Sequence, residues 1–172
     1  MPDRDVFVVR NCQGQHTGHA LAVPVLLREL ENLIRRLAVL HAGAFAHGWS
    51  ESEFERLLAD KAVITHVARA GNSGAPVGFL LSRRAADEAE ILTVAVTPAE
   101  RGQGIARQLL TRHLGRLAAL GVARVFLEVD DGNRAALRLY ERAGFRAVGR
   151  REGYYARAQG SGAALTLRRD LV

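Results

Sequence analysis

From residue 25 to 45 the apolar positions Leu26, Leu30, Leu33, Ile34, Leu37, Leu40 and Phe45, with His41 among them, recur at steps of three and four. That spacing lays them along one stripe and predicts an amphipathic helix over the whole segment. Ser50 followed by Glu53 is a capping box, and Trp49 and Phe54 stand at the two positions of a hydrophobic staple. A second helix is therefore expected from Glu51 to about Ala59. The period then drops to two: 62–70 and 77–83 read as strands on either side of a segment dense in turn formers, 71–76, which predicts an antiparallel hairpin. After a charged turn at 85–89, the run 90–96 is apolar apart from Glu90 and Thr93, as expected of a central strand covered on both faces, and Pro98 ends it.

The helical period returns over 104–120, where Ile105, Leu109, Leu110, Leu114 and Leu117 form a stripe that stops at Gly121, a suitable C′ glycine. Residues 122–129 read as the next strand. A strand, a helix and a strand in this order form a βαβ unit with parallel strands, so the fold class is α/β with a mixed sheet. A further helix over 131–143 is closed by Gly144, and two extended segments follow at 145–151 and 163–170, with a loop containing Gly and Tyr between them. The first 23 residues, with an apolar stretch at 6–9 and a polar one at 11–19, read as an edge strand or a loose extension ahead of a domain over 24–172.

Composition narrows the function without naming it. A chain of 172 residues, 48% hydrophobic and 24% charged, suits one globular domain. Its apolar runs are too short to span a bilayer and its start lacks a signal pattern, so the expectation is a cytoplasmic protein with no membrane association. Cys12 stands alone, and His16, His19, His41, His47, His66 and His113 show no ligand spacing, so no metal is expected. These histidines are expected on surfaces or helix faces, with His41 at the edge of the core. The net charge of +6 comes from 24 basic and 18 acidic residues, and every basic residue but Lys61 is arginine. Such a field suits an anionic ligand. The arginines are scattered rather than run together and no nucleic-acid motif accompanies them, so nucleic acid is not expected as a partner.

The loop between the central strand and its helix carries the chemistry. Residues 98–106 read Pro-Ala-Glu-Arg-Gly-Gln-Gly-Ile-Ala, with small residues where a ligand would approach the backbone. Unpaired N–H groups at the helix start, the helix dipole, and Arg101 and Arg107 suit an anion site, while the glycines alone also read as a plain tight turn. The loop has neither the Lys-Ser/Thr of a P-loop nor the glycine spacing of a dinucleotide fold.

Arg101, Gly104 and Ala106, following Val94, Ala95 and Val96, resemble motif A of the GNAT N-acetyltransferases. Leu127-Glu128-Val129, Asn133 with Ala135 and Ala136, Leu139-Tyr140-Glu141 and Gly144-Phe145 follow in the family's order. Ala44-Phe45 followed by Trp49-Ser50-Glu51, and the ending Arg150-Arg151-Glu152-Gly153-Tyr154-Tyr155, resemble the subgroup that acetylates the N-terminal alanine of ribosomal proteins, the RimI type. The resemblance implies acetyl-CoA as co-substrate, held by Val94, Ala95 and Val96 along the pantetheine arm and thioester. It places Arg101, Gly102, Gln103, Gly104, Ile105, Ala106 and Arg107 on the pyrophosphate, and Asn133 on the pantetheine or phosphate side.

It further implies Glu128 as general base, acting through water, and Tyr140 as the acid that protonates the departing thiolate. Trp49, Tyr154 and Tyr155 would flank the acceptor, in two loops. On the residues alone, Glu128 also reads as a solvated strand-end carboxylate, Asn133 as a helix N-cap, Tyr140 as a core-edge aromatic and Trp49 as a staple. The acceptor is a primary amine: a protein N-terminus, or else a small amine such as a polyamine, amino acid or antibiotic. A noncatalytic acyl-CoA sensor is the remaining alternative, and the chain is expected as a monomer or homodimer.

Overall fold

A computed structural model describes residues 6–9, 22–70, 74–157 and 160–172, with side chains at 27–70, 74–152 and 162–172. Its strands are β1 (Val6–Val9), β2 (Val63–Arg69), β3 (Pro76–Ala85), β4 (Glu88–Val96), β5 (Arg124–Asp130), β6 (Arg146–Arg157) and β7 (Gly160–Asp170). Its helices are α1 (Ala22–Ala42), α2 (Glu51–Ala59), α3 (Ile105–Ala119) and α4 (Arg134–Arg142). The strands form one sheet in the order β1-β2-β3-β4-β5-β7-β6. Only β4 and β5, joined through α3, are parallel; every other pair is antiparallel.

Two layers of apolar packing sandwich this sheet. On one face α3 sets Ile105, Leu109, Leu110, Leu114 and Leu117 against Leu80, Ile91, Val125, Leu127 and Val129, and Tyr140 of α4 joins them. On the other, α1 and α2 bring Leu33, Ile34, Leu37 and Phe54 onto Val67, Phe79, Leu81 and Ala95. The helix predicted over 25–45 spans Ala22–Ala42 instead. Phe45 lies past its end, and its ring stacks on His41 at 4.4 Å.

Helix α2 keeps its predicted bounds because its start is encoded locally. Ser50 Oγ accepts from the Glu53 N–H at 3.3 Å, and Glu53 Oε2 accepts from the Ser50 N–H at 2.7 Å. The Trp49 and Phe54 rings meet edge to face at 5.6 Å, which closes the staple. Ser50→Ala is expected to lower stability by about 1 kcal/mol in urea unfolding. Both later helices end in Schellman motifs. The N–H groups of Gly121 and Val122 donate to Ala118 and Leu117, and those of Gly144 and Phe145 to Glu141 and Tyr140. The positive φ of 79° and 83° at these two glycines is what the motif requires.

Three histidines expected at surfaces or at the core edge are buried. His41 is stacked between Phe45 and Trp49, its Nδ1 accepts from the Trp49 N–H at 3.0 Å, and burial pushes its pKa down against the opposing pull of Glu53. His66 of β2 and His113 of α3 are 3% and 0% exposed, because they satisfy each other: their Nδ1 atoms lie 2.8 Å apart. His113 Nε2 is 2.6 Å from Ser82 Oγ on β3, so this chain of polar groups ties α3 to two strands.

Candidate active site

The site is built from an opening in the sheet. Strands β4 and β5 pair from Glu88↔Arg124 to Ile91↔Leu127 and no further, although β4 continues to Val96 and β5 to Asp130. A bulge helps turn them apart: Leu81 pairs with Thr93 and Ser82 with Ile91, which leaves Leu92 without an opposite residue on β3. The extra residue also swaps the faces of β4. Ala89 and Ile91 join the α3 layer, Val94 and Val96 pack against that layer too, and Ala95 joins the other. No described strand lies along the β5-facing edge of β4 beyond Ile91, so alternate N–H and C=O groups of this stretch point into the gap. Thr93, on the same stretch, buries its Oγ1 with no hydrogen-bond partner among the described residues.

At the end of β4 the chain passes through a 3₁₀ turn (Pro98–Glu100) into the glycine loop. Arg101 Nε donates to the Val96 carbonyl at 3.2 Å and Gln103 Nε2 to Ala99 at 3.4 Å, and these bonds fold the loop back over the strand end. Gly102 and Gly104 hold φ of 76° and 79°, and a Cβ at either would meet nothing within 4 Å. The space beside them is open. Gly104 is the N-cap of α3 and supplies no side-chain acceptor, so the first N–H groups of the helix face out of the protein with the positive end of the dipole behind them. Ile105 is 2% exposed and anchors the helix in the core, so it offers a ligand its backbone only; Arg107 is exposed.

Glu128 is the first residue of β5 beyond the last parallel pair, on the face opposite Leu127 and Val129. Its carboxylate is partly exposed, and Oε1 lies 3.3 Å from Arg151 Nη2 of β6. Arg151 belongs to the ending that carries the subgroup resemblance, but the sequence assigns it no role at the site, because the ion pair exists only once β7 has brought β6 alongside. Asn133 is the N-cap of α4, its Oδ1 accepting from the Ala136 N–H at 3.1 Å, while its side-chain NH₂ is not used by the cap. Tyr140 is 7% exposed and meets Phe145 edge to face at 5.7 Å, the hydrophobic contact of the Schellman motif.

Trp49 is half-buried and stacked on His41 at 4.4 Å, so the staple reading describes its packing. Tyr154 and Tyr155 were expected in a loop. Their backbone instead continues β6, which runs to Arg157 because β7 pairs with it as far as Arg157↔Gly160; their side chains lie outside the described residues.

The acetyltransferase (GNAT) family model matches residues 27–145. The chain belongs to that family. It is similar to the N-alpha-acetyltransferase RimI of Mycobacterium tuberculosis, with 41% identity over 142 residues that cover 79% of this chain and 85% of the relative. It is 33% identical over 117 residues to the ribosomal protein bS18-alanine N-acetyltransferase of Escherichia coli K12, covering 68% of this chain and 77% of the relative. The crystal structure of the ribosomal-protein-S18-alanine N-acetyltransferase from Escherichia coli shares the fold, with a TM-score of 0.74 and 24% identity over 97% of this chain and 94% of that one.

This GNAT chain is therefore an acetyl-CoA-dependent N-acetyltransferase, and its residues fit the co-substrate. The glycine loop is open where a pyrophosphate would sit, and the edge of β4 beyond Ile91 carries backbone groups with which the amides of a pantetheine arm could pair. Among the described residues no cluster of His, Cys, Asp and Glu could hold a metal, and no helix is long and apolar enough to cross a membrane.

Proposed function

We propose that this enzyme acetylates the N-terminal amine of a protein, with the N-terminal alanine of a ribosomal protein as its acceptor, in the cytoplasm. The 41% identity over 142 residues to an N-alpha-acetyltransferase carries this reading. Residues 24–172 form the acetyltransferase domain. Acetyl-CoA supplies an activated acyl group as a thioester, and the protein's part is to place it and move protons.

The gap between β4 and β5 is an opening through the sheet, so groups from both faces reach one ligand threaded through it. Val94, Ala95 and Val96 hold the pantetheine arm, and Arg101 to Arg107 hold the pyrophosphate. Asn133 offers its side-chain NH₂. Glu128 takes a proton from the acceptor ammonium, directly or through water; the arriving cation replaces Arg151, which otherwise neutralises the carboxylate. Tyr140 returns a proton from its phenol to the departing thiolate. Trp49, Tyr154 and Tyr155 flank the acceptor.

The test is thiol release from acetyl-CoA with a panel of alanine-led peptides, the same peptides with blocked N-termini, and polyamines. Turnover should follow the unblocked peptides. Faster turnover of polyamines than of any peptide would replace this acceptor with a small amine, and binding of acetyl-CoA without turnover of any acceptor would leave a sensor. Glu128→Gln should lower kcat about 100-fold at pH 7, with the deficit shrinking toward pH 9 as the α-amine, of pKa about 8, loses its proton unaided. Tyr140→Phe should lower kcat at every pH in that range. Unchanged rates in either variant remove that residue from proton transfer.

A further inference from the structure

Arginines that are far apart in sequence meet in one groove. Helices α3 and α4 leave a cleft of about 980 Å³ between them, which runs from Gly104 and Arg107 at one end to Ala118 and Leu171 at the other. Fourteen residues of α-helix separate Gly104 from Ala118, so the groove is about 20 Å long. Its floor is apolar, with Leu110, Leu114, Leu139 and Leu171 beside the small residues Gly115, Ala118, Ala135 and Ala143. Its charged lining is Arg107, Arg138, Arg142 and Arg169, and no acidic residue lines it. Arg169 Nη1 donates to the Ala143 carbonyl, which fixes that guanidinium at the far end. Among the described residues Arg107, Arg138 and Arg142 have no ion-pair partner.

Only the Gly104 end belongs to the pyrophosphate cradle. Arg142 and Arg169 lie at the opposite end, since α4 starts beside the open end of β5 and runs back toward the strand's beginning, where Arg169 pairs with Val125. Uncompensated cations along a trough call for a ligand with repeated negative charge. Arg138 and Arg142 stand four residues apart, about 6 Å along the helix, close to the step between successive phosphates of a nucleic-acid strand. The guanidinium fork matches phosphate oxygens.

We infer that the α3–α4 groove is a docking surface for the phosphate backbone of RNA, separate from the acetyl-transfer centre. Sequence spacing argued against a nucleic-acid partner because Arg107, the α4 arginines and Arg169 stand tens of residues apart; the fold brings them to one trough. The inference does not depend on which amine is acetylated.

The experiment measures binding of a fluorescein-labelled RNA hairpin to the full chain by anisotropy across a salt series, with acetyl-CoA affinity measured in parallel. Wild type should bind with an affinity that falls steeply with salt, and Arg138→Gln/Arg142→Gln should weaken it at least 10-fold and flatten the logarithmic salt slope by about 2. The variant should keep its acetyl-CoA affinity and its thermal midpoint, since both side chains are exposed and Gln is a good helix former. A charge-matched pair on α1, Arg28→Gln/Arg36→Gln, should bind RNA like wild type.

The inference falls on any of four results: no RNA binding by wild type, equal loss in the α1 pair, competition by polyglutamate as strong as by unlabelled RNA, or loss of acetyl-CoA affinity in the α4 pair matching its loss of RNA. The last would make the groove part of the co-substrate site. Should Arg138→Gln/Arg142→Gln fail to fold, Arg138→Gln alone serves, with an expected slope change of about 1.

Discussion

Gly104→Ala is expected to lower kcat/KM for acetyl-CoA roughly 100-fold while leaving the protein folded. Gly104 sits at φ 79°, where an L-residue loses about 1–2 kcal/mol, and it is the residue from which α3 starts. Relaxing that strain rotates the first N–H groups of the helix away from the phosphate they would bind, and the added methyl stands in the space a phosphate oxygen needs. Gly121 provides the matched control. It has the same φ of 79° and equally open surroundings, but it caps the far end of α3. Gly121→Ala therefore carries the same backbone strain without touching the cradle, and it should lower the thermal midpoint by a few degrees with kcat/KM close to wild type. If both variants lose activity alike, or Gly104→Ala loses less than about 3-fold, the loop does not grip the co-substrate as described.

The contrast between those two glycines also shows what could be read from sequence and what could not. Features whose determinants lie within a few residues were legible. The capping box fixed α2 to the residue, Gly121 and Gly144 closed their helices, and the order strand, loop, helix, strand placed the glycine loop and Glu128. What depends on chain segments meeting was not. Placing β7 between β5 and β6 is a choice among sheet edges, and it alone brings Arg151 to Glu128 and extends β6 through the two tyrosines. The bulge at Leu92 has no local signature, since Ile91 to Val96 reads as an unbroken strand. His66 and His113 are 47 positions apart, and each looked like a lone polar residue on a helix or strand face until the other supplied its hydrogen-bond partner.

That buried pair should make the fold unusually sensitive to mild acid. Burial pushes His66 down to about 4, helped by the charges of Arg116 and Arg112, and pushes His113 down to about 3, helped by His66. Geometry argues in the same direction. At 2.8 Å, one Nδ1 can donate to the other, but two imidazolium rings would set N–H against N–H. Both folded pKa values lie below the ordinary 6.5, so the unfolded chain binds more protons, and stability is complete above pH 6.5 and falls as pH drops toward 3. At pH 4.5 each histidine has lost almost two pKa units of stabilisation at about 1.4 kcal/mol per unit, together about 5 kcal/mol, comparable with the whole stability of a small domain. Urea unfolding between pH 6.5 and 4.5, a window above the range where most carboxylates titrate, should therefore show a slope of about 2–3 kcal/mol per pH unit near pH 5. His66→Gln, which keeps a donor beside His113 but cannot take a proton, should be less stable at pH 7.5 and should roughly halve that slope. A wild-type slope below about 0.5 kcal/mol per unit, or an equal slope in His66→Gln, would mean that the two imidazoles take up protons in the folded state without resistance.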